Sequence, residues 1–261
     1  AESYRKIRNT FRFILGNIKD NFEKKEFDSV KIKDFDELEQ YILNKIFDLD
    51  AHVKSNLKTY NFHKLYKELL NFCALDLSSF YFDIRKDVLY CDSINSKKRK
   101  NCVIVLNIIL ECLLKWFAPI LVFTTDEIYS LVSKDKKNIH ELALPKIPNN
   151  WKNQVLNDRW KKLFSIKQEA NIAIEEKRAN KEIGSSLEAE IKIFTNDKIY
   201  QLLEGINLAE YFITSKAEKF KDSENQSLKI EVKKTNGNKC PRCWKILTDK
   251  CLRCEKVSLE K

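Results

Sequence analysis

The sequence predicts a mainly α-helical protein, in which an antiparallel helix bundle is followed by a small α+β domain and a C-terminal four-cysteine zinc knuckle. Only four glycines and four prolines interrupt the 261 residues, too few for the many turns of a β-sandwich or barrel. Apolar residues recur at helical spacing through roughly the first half of the chain. Two CxxC pairs lie close together near the C-terminus.

The first predicted helix covers residues 2–18 and is amphipathic. Its inward face repeats every three or four residues, with apolar side chains at Tyr4, Ile7, Phe11, Ile14 and Ile18. Three arginines, Arg5, Arg8 and Arg12, share a neighbouring face. This face is either a solvated stripe or a contact surface for phosphates, and the sequence leaves both interpretations open.

Three more long helices are predicted, over residues 35–57, 61–82 and 96–117. The last of them is apolar on nearly every side and is therefore expected at the centre of the bundle. Thr124 followed by Glu127 fits a capping box, which predicts the start of a short fifth helix. Four or five helices with short connections predict an antiparallel bundle over residues 1–145.

A second region follows the proline-containing linker at residues 143–151. A helix is expected over residues 158–181, and then the apolar period changes from helical to alternating, which predicts strands. The expected strands cover residues 187–193, 211–214 and 228–232, with a short helix at 197–204. We assign residues 146–235 to this junction helix and small α+β domain, and residues 236–261 to a zinc-binding tail.

The tail carries the most specific motif in the chain. Its two CxxC pairs, separated by seven residues, are Cys240 with Cys243 and Cys251 with Cys254. Two such pairs complete a tetrahedral site for one zinc ion with no open position, so the predicted metal is structural. A short polar tail needs such a metal, because it cannot bury a hydrophobic core of its own. The other four cysteines, Cys73, Cys91, Cys102 and Cys112, have apolar neighbours and are expected to be buried, reduced thiols.

The charge pattern favours an anionic partner. The net charge is +10, which suggests nucleic acid, although lysine-rich usage also reflects genome composition. Arg242 and Trp244 flank a cysteine ligand in the basic tail. An indole beside a small knuckle either stacks on an unpaired base or packs against the preceding sheet.

The sequence also carries signals about where the protein is located and whether the chain is a piece of a longer protein. The most apolar stretch, residues 103–123, is interrupted by Asn107, Glu111 and Lys115 and reads as a buried helix. The reduced cysteines indicate the cytoplasm, and we expect a monomer without membrane contact. Because methionine is absent, the chain is expected to be a processed protein or an excised piece of a longer one.

Four segments in one order carry a resemblance to a known family. They are SYRKIRNTFRFILGN, APILVFTTDEIY, AIEEKRANKEIGSSLEAEI and the tail KCPRCW with CLRC. Together they resemble the C-terminal part of bacterial-type isoleucyl-tRNA synthetases of class I, over essentially the whole chain. The first two segments are shared with related synthetases, whereas the CPRCW tail is typical of the isoleucine enzymes.

The resemblance implies an anticodon-binding bundle, a junction domain and a zinc tail that meets the anticodon loop of an isoleucine-accepting tRNA. It implies that Arg242 and Trp244 contact the anticodon, and that Arg5, Arg8 and Arg12 lie on the tRNA-facing side of the bundle. The seven-residue spacer between the cysteine pairs is short for the family, which affects the loop contacts rather than the metal.

Catalytic motifs of the family are not found in the sequence. A Lys-Met-Ser-Lys-Ser loop cannot be present without methionine, and the three histidines are isolated. We therefore expect neither aminoacylation nor editing from this chain, and ATP and Mg²⁺ are implied only for the catalytic domain of the parent enzyme. Two alternatives are a free-standing tRNA-binding bundle with a zinc ribbon, and a zinc-finger DNA glycosylase. The glycosylase is disfavoured because its N-terminal Pro-Glu is replaced by Ala1-Glu2.

Overall fold

The computed structural model describes residues 2–18, 27–133, 137–222 and 228–259. Contacts within the chain define two units. The first unit contains Ala1–Arg85 and Ile94–Gln154, and the second contains Lys86–Ser93 and Val155–Lys261. The short segment Lys86–Ser93 therefore belongs with the C-terminal part of the chain, although it lies early in the sequence.

The first unit is helical, which confirms the predicted fold class for this part of the chain. Its α-helices are α1 (Glu2–Ile18), α2 (Glu37–Lys58), α3 (Phe62–Asn71), α4 (Phe82–Cys91), α5 (Lys97–Phe117) and α6 (Val122–Val132), and a π-helical segment, Phe72–Tyr81, joins α3 to α4. Helix α4 continues into the second unit at its C-terminal end. Short 3₁₀ turns of this unit occur at Phe27–Ser29, Ile32–Asp34, Ile139–Glu141 and Asn149–Trp151, and a further one, Ser186–Glu188, lies in the second unit.

Burial follows the apolar periods of the sequence. On α1 the buried apolar side chains are Ile7, Phe11, Ile14 and Ile18. Helix α5 is buried on most sides, as its nearly continuous apolar sequence predicts. Ser96 caps its start, because the Ser96 hydroxyl accepts a hydrogen bond from the Arg99 N–H at 3.1 Å. The helix ends two residues before Pro119, which cannot continue a helix.

The predicted start of α6 is wrong. The helix begins at Val122 with Leu121 as its cap residue, and no side chain caps it. The Thr124 hydroxyl, predicted to cap the helix, instead forms a hydrogen bond of 2.9 Å with the Tyr4 hydroxyl of α1. A contact that is distant in sequence therefore outweighs the local capping pattern.

A buried ion pair crosses the core of the first unit. Glu39 is 1% exposed and Arg85 is 3% exposed. The Arg85 guanidinium donates from Nε to Glu39 Oε1 and from Nη2 to Oε2, each at 2.6 Å. The Tyr81 hydroxyl donates to the same carboxylate at 3.1 Å, so both charges are neutralised and hydrogen-bonded.

The second unit is mixed α and β, as predicted. It contains α7 (Gln154–Ala179, whose first residue belongs to the first unit), β1 (Ala189–Thr195), α8 (Asp197–Leu202), α9 (Leu208–Tyr211), β2 (Lys216–Lys221) and β3 (Lys229–Lys234). The strands form one sheet in the order β2-β1-β3, with β1 parallel to β2 and antiparallel to β3. Buried residues alternate along β1, because one face of the sheet packs on the interior.

The strand predicted at residues 211–214 is wrong. Tyr211 ends α9, and Ile213 has a φ of 58°, which is incompatible with extended backbone. Strand β2 begins only at Lys216. The apolar run that suggested a strand is the buried end of a short helix, an ambiguity that periodicity alone cannot resolve in short segments.

Three short elements complete the tail: β4 (Asn238–Lys239), β5 (Ile246–Leu247) and α10 (Leu252–Leu259). Ser215 links this region to the sheet. Its hydroxyl donates to the Leu187 carbonyl at 2.5 Å and accepts from the Ile246 N–H at 2.6 Å. The predicted division of this unit into residues 146–235 and 236–261 stays a prediction.

Candidate metal centre and nucleic-acid interface

The four cysteines of the tail form one cluster. The sulfur atoms of Cys240, Cys243, Cys251 and Cys254 all lie within 4.8 Å of one another, and those of Cys243 and Cys251 are 3.8 Å apart. Four sulfurs at the usual zinc–sulfur distance of about 2.3 Å around a tetrahedral ion are about 3.8 Å apart. The donor set therefore fits a four-coordinate structural metal.

Two local structures bring these cysteines together, and we call them the knuckle: the hairpin of β4 and β5, and helix α10. Strands β4 and β5 pair antiparallel, and the turn between them contains the first CxxC pair. Within the turn, the Trp244 N–H donates to the Cys240 carbonyl at 3.0 Å. Cys251 precedes α10 and Cys254 lies in its first turn, so the helix start presents the second pair.

Gly237 is required where the chain enters the hairpin. Its φ is +135°, a region that other residues rarely adopt. A Cβ at this position would lie 2.3 Å from the Leu247 carbonyl oxygen. Any side chain would therefore push the two strands of the hairpin apart.

The cysteines differ in how readily they lose a proton. Burial opposes ionisation of Cys240, yet the backbone N–H groups of Cys243 and Arg242 lower its pKa to about 7. Burial raises the pKa of Cys243 and of Cys254. Cys240 therefore ionises more readily than these two partners, since the backbone of its own turn supports the thiolate.

A fifth cysteine, Cys91, is buried against the cluster. Burial raises the pKa of Cys91 to about 11, and its thiol donates to the Arg242 carbonyl at 3.7 Å. It is therefore a neutral thiol rather than a fifth thiolate. Sequence analysis predicted a buried thiol here, and Cys73, Cys102 and Cys112 are likewise buried and free. The proximity of Cys91 to the knuckle has no signal in the sequence.

Arg242 holds the end of α4. Its guanidinium donates to the carbonyl oxygens of Cys91 at 2.7 Å and Tyr90 at 3.2 Å. The last carbonyls of a helix have no partner within the helix, so an arginine placed there satisfies them and opposes the negative end of the helix dipole. The predicted contact between Arg242 and tRNA stays a prediction.

Arg253 makes a second connection to the same segment. It donates to both carboxylate oxygens of Asp87, at 2.6 and 2.9 Å, and to Asp92 at 3.2 Å. Burial alone would raise the pKa of Asp87, but the hydrogen bonds from Arg253 lower it. The pair is therefore ionised at neutral pH and fixes the knuckle against Lys86–Ser93.

Trp244 lies on the surface of the knuckle. Its side chain is 60% exposed, and the residue has a φ of 64°, which is unusual for a bulky side chain. The Lys239 ammonium lies 5.5 Å from the centre of its ring. Of the two possibilities left open by the sequence, the exposed ring favours contact with a partner over packing on the sheet.

The other predicted RNA contacts lie in the first unit. Arg5, Arg8 and Arg12 are all exposed on α1. Arg8 donates to the Tyr4 hydroxyl at 3.4 Å and lies 3.9 Å from the Glu127 carboxylate. The hydrogen bond between Tyr4 and Thr124 and, after it, the one from Arg8 lower the pKa of the Tyr4 hydroxyl. Their role in binding stays a prediction.

Comparison with known families identifies the chain. Residues 39–193 match the model of the anticodon-binding domain of tRNA ligases. The chain belongs to this family. The matched residues include nearly all of α2, then α3 to α7 and most of β1, so they belong to both units, and α1 lies outside them.

Similarity to curated proteins extends over nearly the whole chain. The chain is 51% identical over 253 residues to the isoleucine–tRNA ligase of Pelagibacter ubique, covering 97% of this chain and 28% of that protein. It is 37% identical over 259 residues to the isoleucine–tRNA ligase of Agrobacterium fabrum, covering 95% and 26%. The corresponding enzyme of Caldanaerobacter subterraneus is 36% identical over 259 residues, covering 94% and 28%.

The chain corresponds to only part of the proteins that it resembles. It spans about a quarter of the length of the curated relatives it matches.

Among the described residues, no helix combines the length and the apolar character that crossing a membrane requires. The stretch 103–123, predicted as one buried helix, lies within α5 as far as Phe117, but its end is not part of that helix: Val122 and Phe123 begin α6 and are exposed.

Proposed function

We propose that this chain is the tRNA-binding region of an isoleucine–tRNA ligase and that it recognises the anticodon loop. The supporting observation is the 51% identity to such a ligase over 97% of the chain. In the parent enzyme, isoleucine is joined to its tRNA with ATP, and ATP and Mg²⁺ bind in the catalytic part of that enzyme. This chain supplies binding energy and orientation rather than chemistry.

The metal in this proposal is one zinc ion, held by Cys240, Cys243, Cys251 and Cys254. Four thiolates are a donor set that zinc favours, and their mutual distances fit its tetrahedral geometry. The four ligands leave no position for a reacting water, so the ion stabilises the fold of the knuckle. Arg242 and Arg253 lie beside it and offset the negative charge of a four-thiolate site.

Trp244 and Arg242 are the proposed anticodon contacts in the knuckle. The exposed indole offers a flat face on which an unpaired base can stack. Arg242 has five N–H donors, and its hydrogen bonds to the Cys91 and Tyr90 carbonyls use one on each terminal nitrogen. The same side chain can therefore fix the knuckle and contact RNA.

Arg5, Arg8 and Arg12 are the proposed phosphate contacts of the bundle. Their exposed guanidinium groups follow one side of α1, and phosphate contacts of this kind contribute affinity without reading sequence. We further propose that the protein is cytoplasmic and that it is a monomer. Analytical ultracentrifugation of the purified chain tests the oligomeric state.

The direct test of the function is binding of the purified chain to an isoleucine-accepting tRNA transcript. The matched control is the same tRNA with only its anticodon replaced. Because one stacked base contributes about 1–3 kcal/mol, we expect the original anticodon to bind about tenfold more tightly. Equal affinity for the two transcripts at physiological salt contradicts anticodon recognition by this chain.

A further inference from the structure

A second exposed aromatic residue, Tyr90, lies beside the knuckle. It occupies the last turn of α4 and is 57% exposed, whereas the neighbouring Val88 and Leu89 are buried. Helical geometry therefore directs this side chain outward while the rest of the turn packs inward. Sequence analysis did not single out Tyr90, because it is 154 residues from Trp244 in the chain.

Arg242 ties Tyr90 to the tryptophan of the knuckle. The Tyr90 carbonyl accepts from the guanidinium at 3.2 Å. The next residue, Cys91, exchanges two hydrogen bonds with Arg242: its carbonyl accepts from the guanidinium at 2.7 Å, and its thiol donates to the Arg242 carbonyl at 3.7 Å. Trp244 is only two residues from Arg242, at most ~7 Å along the backbone. The two exposed rings therefore belong to one small region of the second unit.

This region is held firmly. Arg253 binds Asp87 through two hydrogen bonds, three residues before Tyr90, and it also binds Asp92. A surface that is fixed before its partner arrives loses little conformational entropy on binding. The two aromatic side chains are therefore presented on backbones that are already anchored.

The charges near the rings favour an anionic partner. Both carboxylates of the α4 end, Asp87 and Asp92, are paired with Arg253. Lys239 lies 5.5 Å from the Trp244 ring, and Arg242 lies against the Tyr90 backbone. Aromatic faces with adjacent cations match single-stranded RNA, which combines unpaired bases with phosphates.

From this juxtaposition we infer that Tyr90 is a second stacking residue, which together with Trp244 holds two unpaired bases of an RNA loop. The inference rests on the proposed tRNA-binding function and extends it. Arg242 acts as a positioning residue in this surface, because it joins the backbone that carries one ring to the backbone that carries the other.

The test uses the full chain and isoleucine-accepting tRNA transcripts that carry 2-aminopurine at single positions of the anticodon loop. Stacking quenches the fluorescence of this base analogue and therefore reports each contact directly. We expect Tyr90→Ala to weaken binding about 5- to 150-fold and to relieve quenching at a loop position different from the one affected by Trp244→Ala. Tyr90→Phe, which keeps the ring, should retain wild-type binding and quenching.

The matched control is Phe123→Ala, which removes another aromatic ring, 90% exposed, from helix α6. Tyr90→Leu keeps apolar volume without an aromatic face and serves as a second loss variant if the alanine variant unfolds. Metal content and circular dichroism identify variants that remain folded.

The possible failures are distinguishable. If the wild-type chain does not bind tRNA, the proposed function fails and this inference fails with it. If the wild-type binds and Trp244→Ala weakens binding, but folded Tyr90 variants behave like Phe123→Ala, the function stands and the role of Tyr90 is overturned. If Tyr90→Leu binds tRNA as tightly as the wild-type chain and leaves the quenching unchanged, stacking by Tyr90 is likewise rejected. Tyr90 is then a packing or protein-contact residue.

Discussion

The helical first unit and the knuckle are stabilised by different means. The first unit buries long apolar faces on α1, α2 and α5, and even its central ion pair, Glu39 with Arg85, is enclosed by the core. In the knuckle, three of the four clustered cysteines are themselves the buried side chains, joined by Cys91. Its attachment to the rest of the second unit depends on arginines. A region with an apolar core should tolerate the loss of one contact better than a region whose interior is a cluster of cysteines.

Metal removal should give the largest effect and is the most direct way to break this comparison. Structural zinc contributes about 10–16 kcal/mol in small zinc domains, so a chelator or Cys254→Ser should unfold the knuckle. The helices of the first unit should remain, because among the described residues the candidate metal cluster lies in the tail. Metal analysis, tryptic cleavage of the tail and circular dichroism test this.

The matched control is Cys112→Ala, which alters a buried cysteine of α5 but leaves the cluster intact. This variant should keep about one equivalent of zinc. Loss of most helical circular dichroism on chelation of the wild-type protein would show that the two regions are not independent in their stability.

The corresponding test in the first unit removes one partner of its buried ion pair. Glu39→Leu removes the buried carboxylate that pairs with Arg85, although the half-exposed Asp36 carboxylate remains 3.4 Å from the guanidinium. Breaking a buried pair in this way costs about 3–5 kcal/mol. Denaturant unfolding followed by circular dichroism measures the loss, and zinc content should not change. The control is Glu2→Leu, because the exposed pair of Glu2 with Lys6 should contribute less than about 0.5 kcal/mol. Similar effects for both variants would refute a stabilising role for the buried network.

The comparison extends to recognition of RNA. We expect Trp244→Ala to weaken binding of isoleucine-accepting tRNA by about 1–3 kcal/mol, and to weaken it more than binding of a tRNA with a replaced anticodon. Because we propose that the ring contacts a base, the loss should depend on the anticodon sequence. Zinc content must be unchanged in the variant. Unchanged affinities for both tRNAs would make Trp244 a packing residue.

A smaller effect is expected at the attachment of the knuckle. Arg253→Met removes the hydrogen bonds to Asp87 and Asp92, and because these groups are partly exposed we expect a loss of about 1–2 kcal/mol. Faster hydrogen exchange in Lys86–Ser93 and in α10 would report it. Lys250→Met is the control, since the pair of Lys250 with Glu255 is exposed and local to the tail. Identical exchange in both variants would contradict the attachment.

The smallest effect should come from the bundle arginines. Arg8→Met is expected to weaken all tRNAs alike, and to reduce the slope of log affinity against log salt by about one, because one phosphate contact is lost. Lys6→Met is the control for charge on the same helix. A loss that depends on the anticodon would transfer base recognition from the knuckle to α1.

Local sequence patterns predicted the parts of this molecule that local physics determines. The apolar period of α1 and the paired cysteines of the knuckle each act over a few residues, and both were identified. The start of α6 was missed because the Thr124 hydroxyl bonds to Tyr4, 120 residues earlier. The strand expected at residues 211–214 was wrong because a short apolar run fits a buried helix end equally well.

The surroundings of the candidate site were beyond prediction for the same reason. The place of Arg242 in the CPRCW motif predicted a contact with RNA, but its bonds to Tyr90 and Cys91 join residues about 150 positions apart. Such pairings follow from the completed fold rather than from spacing. Tyr90 has no motif of its own, and only its exposure beside the knuckle distinguishes it.

The hydrogen bonds of Ser215 limit how far the knuckle can be treated as a portable module. Its hydroxyl joins the hairpin to the sheet by accepting from the Ile246 N–H and donating to the Leu187 carbonyl. A synthetic peptide of the tail would retain all four thiols and the capacity to bind a metal. Grafted onto another scaffold, the tail would lack Ser215 and the α4 segment, so the position of Trp244 would no longer be fixed by these contacts. Transplanting the recognition surface therefore requires moving the sheet and Lys86–Ser93 together with the tail.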